Sequence, residues 1–223
     1  MKTYSLLNLS VLVAMCATLL TVKSELALAV DAAPPIPAGA YTLDKSHSTI
    51  IFRVSHVGFS FYTASFSRFD ANLNFDPSNF AASKLSTVID VTSLQLPTPP
   101  PGFRDALLGP DWFNADKYPT ITYSSTSIEK TGDASARVTG NLTLKGVTHP
   151  VMFEVRFNGG YPGIAGIDPQ ARVGFSARGT LKRSQFDLTK GLPPEGTNFG
   201  VGDDVEFIIE TEFNGPRLKA SGN

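Results

Sequence analysis

From Ala40 to Phe213 the chain repeatedly alternates apolar and polar residues with a period of two. Phe69, Ala71, Leu73 and Phe75 are interleaved with Asp70, Asn72, Asn74 and Asp76. Val151, Phe153, Val155 and Phe157 are interleaved with Met152, Glu154, Arg156 and Asn158, and Val205, Phe207, Ile209, Thr211 and Phe213 with Glu206, Ile208, Glu210 and Glu212. Successive side chains of a strand point to opposite faces, so each segment puts one face in an apolar interior and the other in water. Weaker alternation predicts further strands over 50–56, 59–67, 85–92, 120–128, 136–144 and 172–183. Turn-forming residues separate them, at Asp76-Pro77, Lys130–Asp133, Lys145-Gly146 and Asn158–Gly160. The count is about eight or nine antiparallel strands in one all-β domain over 40–215. Only 102–116 reads as helical, with Arg104, Leu107, Leu108 and Phe113 at helix-like spacing and Pro110 interrupting. So many amphipathic strands, with so little helix to cover them, argue for a sandwich or a closed barrel. Periodicity does not decide between the two.

The N-terminal segment has another character. Lys2 precedes a mostly apolar run, Leu6 to Leu20, which is short of the ~20 residues a membrane-spanning helix needs. Ala27-Leu28-Ala29 offers a small-residue cleavage site, with Ala33 as an alternative, so residues 1–29 are expected to be a signal peptide. Residues 30–39 form a proline-rich leader, expected to be extended and outside the sheet, and 216–223 a C-terminal tail. Cleavage leaves 17 basic and 19 acidic residues, a net charge of −2, without a basic patch for nucleic acid. Cys16, the one cysteine, leaves with the signal. A cysteine-free mature chain excludes thiol catalysis and cysteine-ligated metal, and suits an oxidising compartment.

Candidate chemistry is sparse. No G-x-S-x-G, H-E-x-x-H or phosphate-cradling glycine loop is present. Asp203 and Asp204 sit where paired carboxylates usually serve a turn. His56 falls on the apolar phase of its strand and His47 on the opposite one, so a metal site built from Asp44, His47 and His56 requires a bulge after Ser48. The other readings are a hydrogen-bonded histidine pair closing a barrel end, or His56 facing a ligand headgroup. Arg104-Asp105 opens the predicted helix, where the aspartate suits the helix dipole and the arginine is placed to meet an acid of the wall. That helix, with Leu107, Leu108, Trp112 and Phe113, is expected to plug one barrel end, a role compatible with its being a lid for ligand entry. Sixteen phenylalanines, many in the apolar phase, form an ordinary core or a lumen of flat rings suited to a featureless apolar ligand.

Four spaced blocks add to this picture: Asp44-Lys45-Ser46-His47-Ser48 with Phe52 and His56; Arg104-Asp105 with Leu108, Trp112-Phe113 and Lys117-Tyr118-Pro119; Gly140–Thr148; and Lys182–Phe186 with Val201–Val205. In this order they resemble the YceI family of exported polyisoprenoid-binding proteins, over essentially the whole mature chain. The resemblance implies a lipocalin-like, up-and-down antiparallel barrel of about eight strands with an elongated apolar lumen. It further implies a periplasmic, non-catalytic protein that sequesters or carries an isoprenoid quinone or prenyl lipid and needs no cofactor besides that ligand. Transient contact with membrane lipids and a homodimer are compatible with it. The expected lumen set is Phe52, Val54, Phe61, Phe69, Leu73, Phe75, Ile89, Phe153, Val155, Phe207 and Ile209, with His56 and Arg104 at the polar end of the ligand. Burying a forty-carbon tail at ~0.8 kcal/mol per CH₂ exceeds the ~20 kcal/mol ceiling of non-covalent binding, so ordering and incomplete burial must absorb the surplus. The chain departs from the family pattern at Ala64 and Ala71, which replace glycines, at the stiff Leu96–Gly102 loop, and at Asp187. A metal protein using Asp44, His47 and His56, and a ligand-free structural protein with a filled core, are the rival readings.

Overall fold

The computed structural model describes residues 35–218. The expected signal peptide and its cleavage sites lie outside them, as do the last residues of the tail. Within them the alternating segments become β1 (Gly39–His56), β2 (Ser60–Phe66), β3 (Phe69–Phe75), β4 (Lys84–Asp90), β5 (Leu94–Gln95), β6 (Thr120–Lys130), β7 (Ser135–Leu144), β8 (Val147–Tyr161), β9 (Gln170–Lys182) and β10 (Val201–Arg217). All pair antiparallel in one sheet, and β10 returns to pair with β1, which closes the barrel.

β2 and β3 are two halves of one kinked wall strand, both paired with β1. β4 and β5 are kinked beside them, so the wall has eight positions. Asp90 holds this paired corner. Its Oδ1 accepts from the Thr92 amide at 2.8 Å, starting a one-turn 3₁₀ helix over Val91–Ser93. Its Oδ2 accepts from Arg68 Nε at 2.9 Å, at the kink between β2 and β3.

β1 carries a bulge. Asp44 pairs with Glu212 but Thr49 with Glu210, so β1 spends five steps where β10 spends two. Before the bulge Tyr41 and Leu43 are the buried phase, and after it Ile50. Asp44-Lys45-Ser46-His47-Ser48 builds it locally: Asp44 Oδ1 accepts from the Ser46 amide at 3.0 Å, and Ser48 Oγ donates to the Asp44 carbonyl at 2.7 Å and accepts from the Glu212 amide at 3.2 Å.

The predicted helix over 102–116 is shorter than expected. α1 spans only Phe103–Leu108. Gly109 leaves the helical conformation and Pro110 has no amide hydrogen to continue the ladder. The chain then folds back through turns, with the amides of Phe113 and Ala115 donating to the carbonyls of Leu107 and Leu108 at 3.0 and 2.8 Å. The leader is also less detached than its prolines suggested. Ile36 packs against the core, Tyr41 donates to the Pro37 carbonyl at 2.7 Å, and Gly39 already pairs with Phe75. Among the described residues no helix is long and apolar enough to cross a membrane.

Candidate functional site

The two ends of the barrel are built differently. At the α1 end, Phe66, Val91, Leu94, Ala115, Leu144, Phe186 and Leu188 are buried in one cluster, with Leu107, Leu108 and Phe113 against it. Phe66 is the centre of a stack, 5.4 Å from Phe52 and 6.0 Å from Phe113. Arg183 pins the loop over this end. Its buried guanidinium donates to the carbonyls of Gly202 (2.8 Å), Val201 (2.8 Å), Lys190 (2.9 Å) and Leu188, with Trp112 on its face. Burial draws its pKa below the ordinary arginine value. Ser184 donates through both its amide and Oγ to the Asp203 carboxylate at 2.9 Å. Arg104 bonds two backbone carbonyls, those of Leu94 (3.0 Å) and Thr92, and not the wall acid expected for it.

Toward the other end the barrel encloses an apolar lumen that opens to solvent. The empty volume, mouth included, is about 1280 Å³. The mouth lies by the 3₁₀ turn Phe80–Ala82 and the β6–β7 turn, where Ser83, Lys130, Asp133 and Ser135 join the lining. Its interior is almost wholly apolar. Phe69, Leu73, Phe75 and Ile89 contribute from β3 and β4, Phe153 and Val155 from β8, and Ile209 from β10. Phe153 touches both regions: its ring sits 4.8 Å from Tyr123 and 4.9 Å from Phe207. Phe75 is the hub of an aromatic collar at the open end, within about 6 Å of Tyr41, Phe80, Phe157 and Phe175. Burial pushes the Tyr123 phenol above its usual value, and the hydroxyl is tucked beside Gly140, where a Cβ would lie 2.6 Å from it.

The remaining sequence candidates are elsewhere. Phe52 and Phe207 belong to the packed region, and Val54 pairs with Tyr62 and Val205 toward the same end. Phe61 faces outward, 51 % exposed under the Arg53 guanidinium. Its segment carries aromatics in both phases, and Tyr62, Ala64 and Phe66 take the interior. His56 is exposed beside the β1–β2 turn, so it and Arg104 stand at the plugged end and not at the mouth. Several lining residues were not among the candidates. Phe157, Phe175 and Phe213 sat on legible apolar phases, as did Tyr123 with Ile121 and Ala177 with Phe175, whereas Phe80 lay between predicted strands.

The bulge brings Asp44, His47 and Glu212 together on the outer face, their ligand atoms within 4.8 Å of one another. His56 is not with them; it lies roughly 25 Å further along β1. This corrects the trio Asp44, His47 and His56. Arg172 already occupies the carboxylates: Nη1 is 2.8 Å from Asp44 Oδ2 and 3.9 Å from Glu212, and Nε is 2.6 Å from Asp168. A fixed positive charge there opposes a divalent cation. Burial alone would raise the Asp44 pKa, but hydrogen bonds from His47, Arg172 and the Ser46 amide hold it below the usual carboxylate range.

A closed, eight-position antiparallel barrel, plugged at one end and holding an apolar lumen at the other, has the architecture of a small-molecule binding barrel. The YceI-like domain model matches residues 41–213, and the chain belongs to that family. A UPF0312 protein of Ectopseudomonas mendocina is 36 % identical over 180 residues, covering 78 % of this chain and 87 % of that protein. One from Yersinia pestis is 37 % identical, covering 78 % and 86 %. Among solved structures, BcnA of Burkholderia cenocepacia superposes with a TM-score of 0.64 at 26 % identity, covering 76 % of this chain and 98 % of that one. The YceI protein of Campylobacter jejuni gives 0.59 at 29 % identity, covering 79 % and 98 %. A polyisoprenoid binding domain from Saccharophagus degradans shares the fold, with a TM-score of 0.56 at 14 % identity, covering 79 % and 98 %.

Proposed function

We propose that this protein is an exported, periplasmic binding protein that holds a polyisoprenoid, an isoprenoid quinone or prenyl lipid, in the barrel lumen and sequesters or carries it. The observation that carries the reading is the lumen itself: a void walled almost wholly by aromatic and aliphatic side chains, with its charged groups only at the mouth. Such a lining holds an apolar chain by burial, without directional contacts. Family membership supports a binding protein over a catalyst. A domain described as polyisoprenoid binding is built on the same fold.

The single mouth supports one direction for the ligand. The tail enters from the mouth and runs toward Phe153, and its headgroup stays near Lys130, Asp133 and Ser135. His56 and Arg104, at the opposite end, do not touch it. Because the packed region occupies the rest of the barrel, a long tail must fold back or leave its polar end outside. The test is native mass spectrometry of the protein purified from periplasmic extract, with solvent extraction of anything bound. Adducts stepping in isoprene units are expected. A clean apo mass, unchanged after incubation with long-chain isoprenoids, would overturn the proposal.

A further inference from the structure

The wall is not level at the open end. β7 begins at Ser135, opposite Arg156 of β8, but β8 runs on through Tyr161, paired there with β9 alone. The overhang is about 15 Å long. Its connecting loop carries the uncharged tip Ile164-Ala165-Gly166-Ile167, exposed throughout, with Ile164 45 % and Ile167 82 % exposed. The tip is closed on itself: the Ile164 amide donates to the Asp168 carbonyl, and the amides of Ile167 and Asp168 donate to the Ile164 carbonyl. Backbone groups satisfied in this way lose little on leaving water.

The base of the tip is anchored. Asp168 accepts from Tyr161 at 2.9 Å and from Arg172 at 2.6 Å, and Arg172 reaches across to Asp44 at 2.8 Å. Leu218 donates its amide to the Pro169 carbonyl at 2.7 Å, and Arg217 stands exposed beside it, opposite Gln170. Among the described residues neither Arg217 nor Lys130 at the mouth forms an ion pair. The outer network that could not suit a divalent cation therefore has a structural task, which is to hold an apolar point beside the mouth.

We propose that the 162–169 loop docks the open end of the barrel on a lipid bilayer, with Ile164 and Ile167 entering the headgroup–acyl boundary and Arg217 and Lys130 meeting lipid phosphates. This rests on the carrier reading above and names the surface from which the lumen is loaded. An exposed apolar point on a rim that also carries unpaired cations gains from apolar burial and from attraction to anionic lipid at a bilayer surface. A four-residue tip is far smaller than the ~800 Å² per partner of a standard protein interface. A second apolar patch, Phe59 (85 % exposed) and Phe199 (78 % exposed), lies at the plugged end, where a bilayer would face no opening.

The test compares wild type with an Ile164→Asp/Ile167→Asp variant and a Phe59→Ser/Phe199→Ser variant. Flotation is measured with ligand-free vesicles of phosphatidylethanolamine and phosphatidylglycerol, and loading is measured separately with a long-chain isoprenoid quinone dispersed in detergent. The isoleucine variant is expected to lose flotation about tenfold or more while loading from detergent normally, and the phenylalanine variant to match wild type in both. Wild type that does not float, an isoleucine variant that floats like wild type, or a loss confined to the phenylalanine variant would overturn the proposal. Failure of wild type to load from detergent, with the flotation difference intact, would sink the carrier reading and leave the docking surface standing.

Discussion

The plugged and open ends of this barrel are both lined by phenylalanines and aliphatic side chains. At one end Phe66, Phe113 and Phe186 interlock beneath a loop whose carbonyls converge on Arg183. At the other Phe75, Phe157 and Phe175 form a collar around a void. The difference lies in what covers the barrel end. The plug is contributed by long loops, 96–119 and 183–200, folded inward. The open end has the short β6–β7 turn, the 76–83 connection with its 3₁₀ turn and the β8–β9 overhang, which leave the lumen open. An inward phase thus says that a side chain leaves water, and only the connections say whether it meets another.

The comparison yields graded predictions. Phe186→Ala should cost ~3–5 kcal/mol, because the ring is fully buried in a region unable to collapse. Phe157→Ala, beside an existing void, should cost ~1–2 kcal/mol, below that range because the site is already open. Denaturant midpoints of the two variants measure the contrast, and equal losses would break it. Arg183→Met should cost ~3 kcal/mol or more, by stripping a partner from four carbonyls at once. In thermal melts its effect should exceed that of any single polar change at the mouth.

Ala177→Phe should fill the lumen from its wall. Isoprenoid retained on purification should fall severalfold while stability shifts by less than ~1.5 kcal/mol, since the new ring enters empty space. The smallest effect concerns acid. Asp44 and Asp168 are held below their ordinary pKa, so their stabilisation is present above about pH 4 and is lost as pH falls through the lower folded-state values. Arg172→Met should shrink the stability gained between pH 3 and neutrality, read as melting temperature against pH.

Much of this was legible in the chain. Alternation located the strands of the wall, because a half-buried strand writes its two faces into successive residues. The blocks were visible too, but their tasks were not. Arg104 and Arg183 act on carbonyls supplied by loops distant in sequence, and no local pattern reports such a partner. Phe61 misled because its strand carries aromatics on both faces. The cavity was the least legible feature, since Phe153 beside the void and Phe207 in the packing share one alternation pattern and one expected environment.

The β1 bulge also sets a rule for how this chain can change in length. The surplus of β1 over β10 between Asp44 and Thr49 is odd, so the strand's inner face passes from odd-numbered to even-numbered positions while β10 keeps one parity from Val205 to Phe213. Residues 45–48 pair with neither neighbouring strand, so a length change there alters only the bulge, whereas a single-residue change among Ile50–His56 would shift the paired register and turn Ile50 or Phe52 out of the barrel. Length variants should therefore survive at this seam and not in the paired stretch of β1 after it, a constraint imposed by closure of the barrel and independent of whatever the lumen holds.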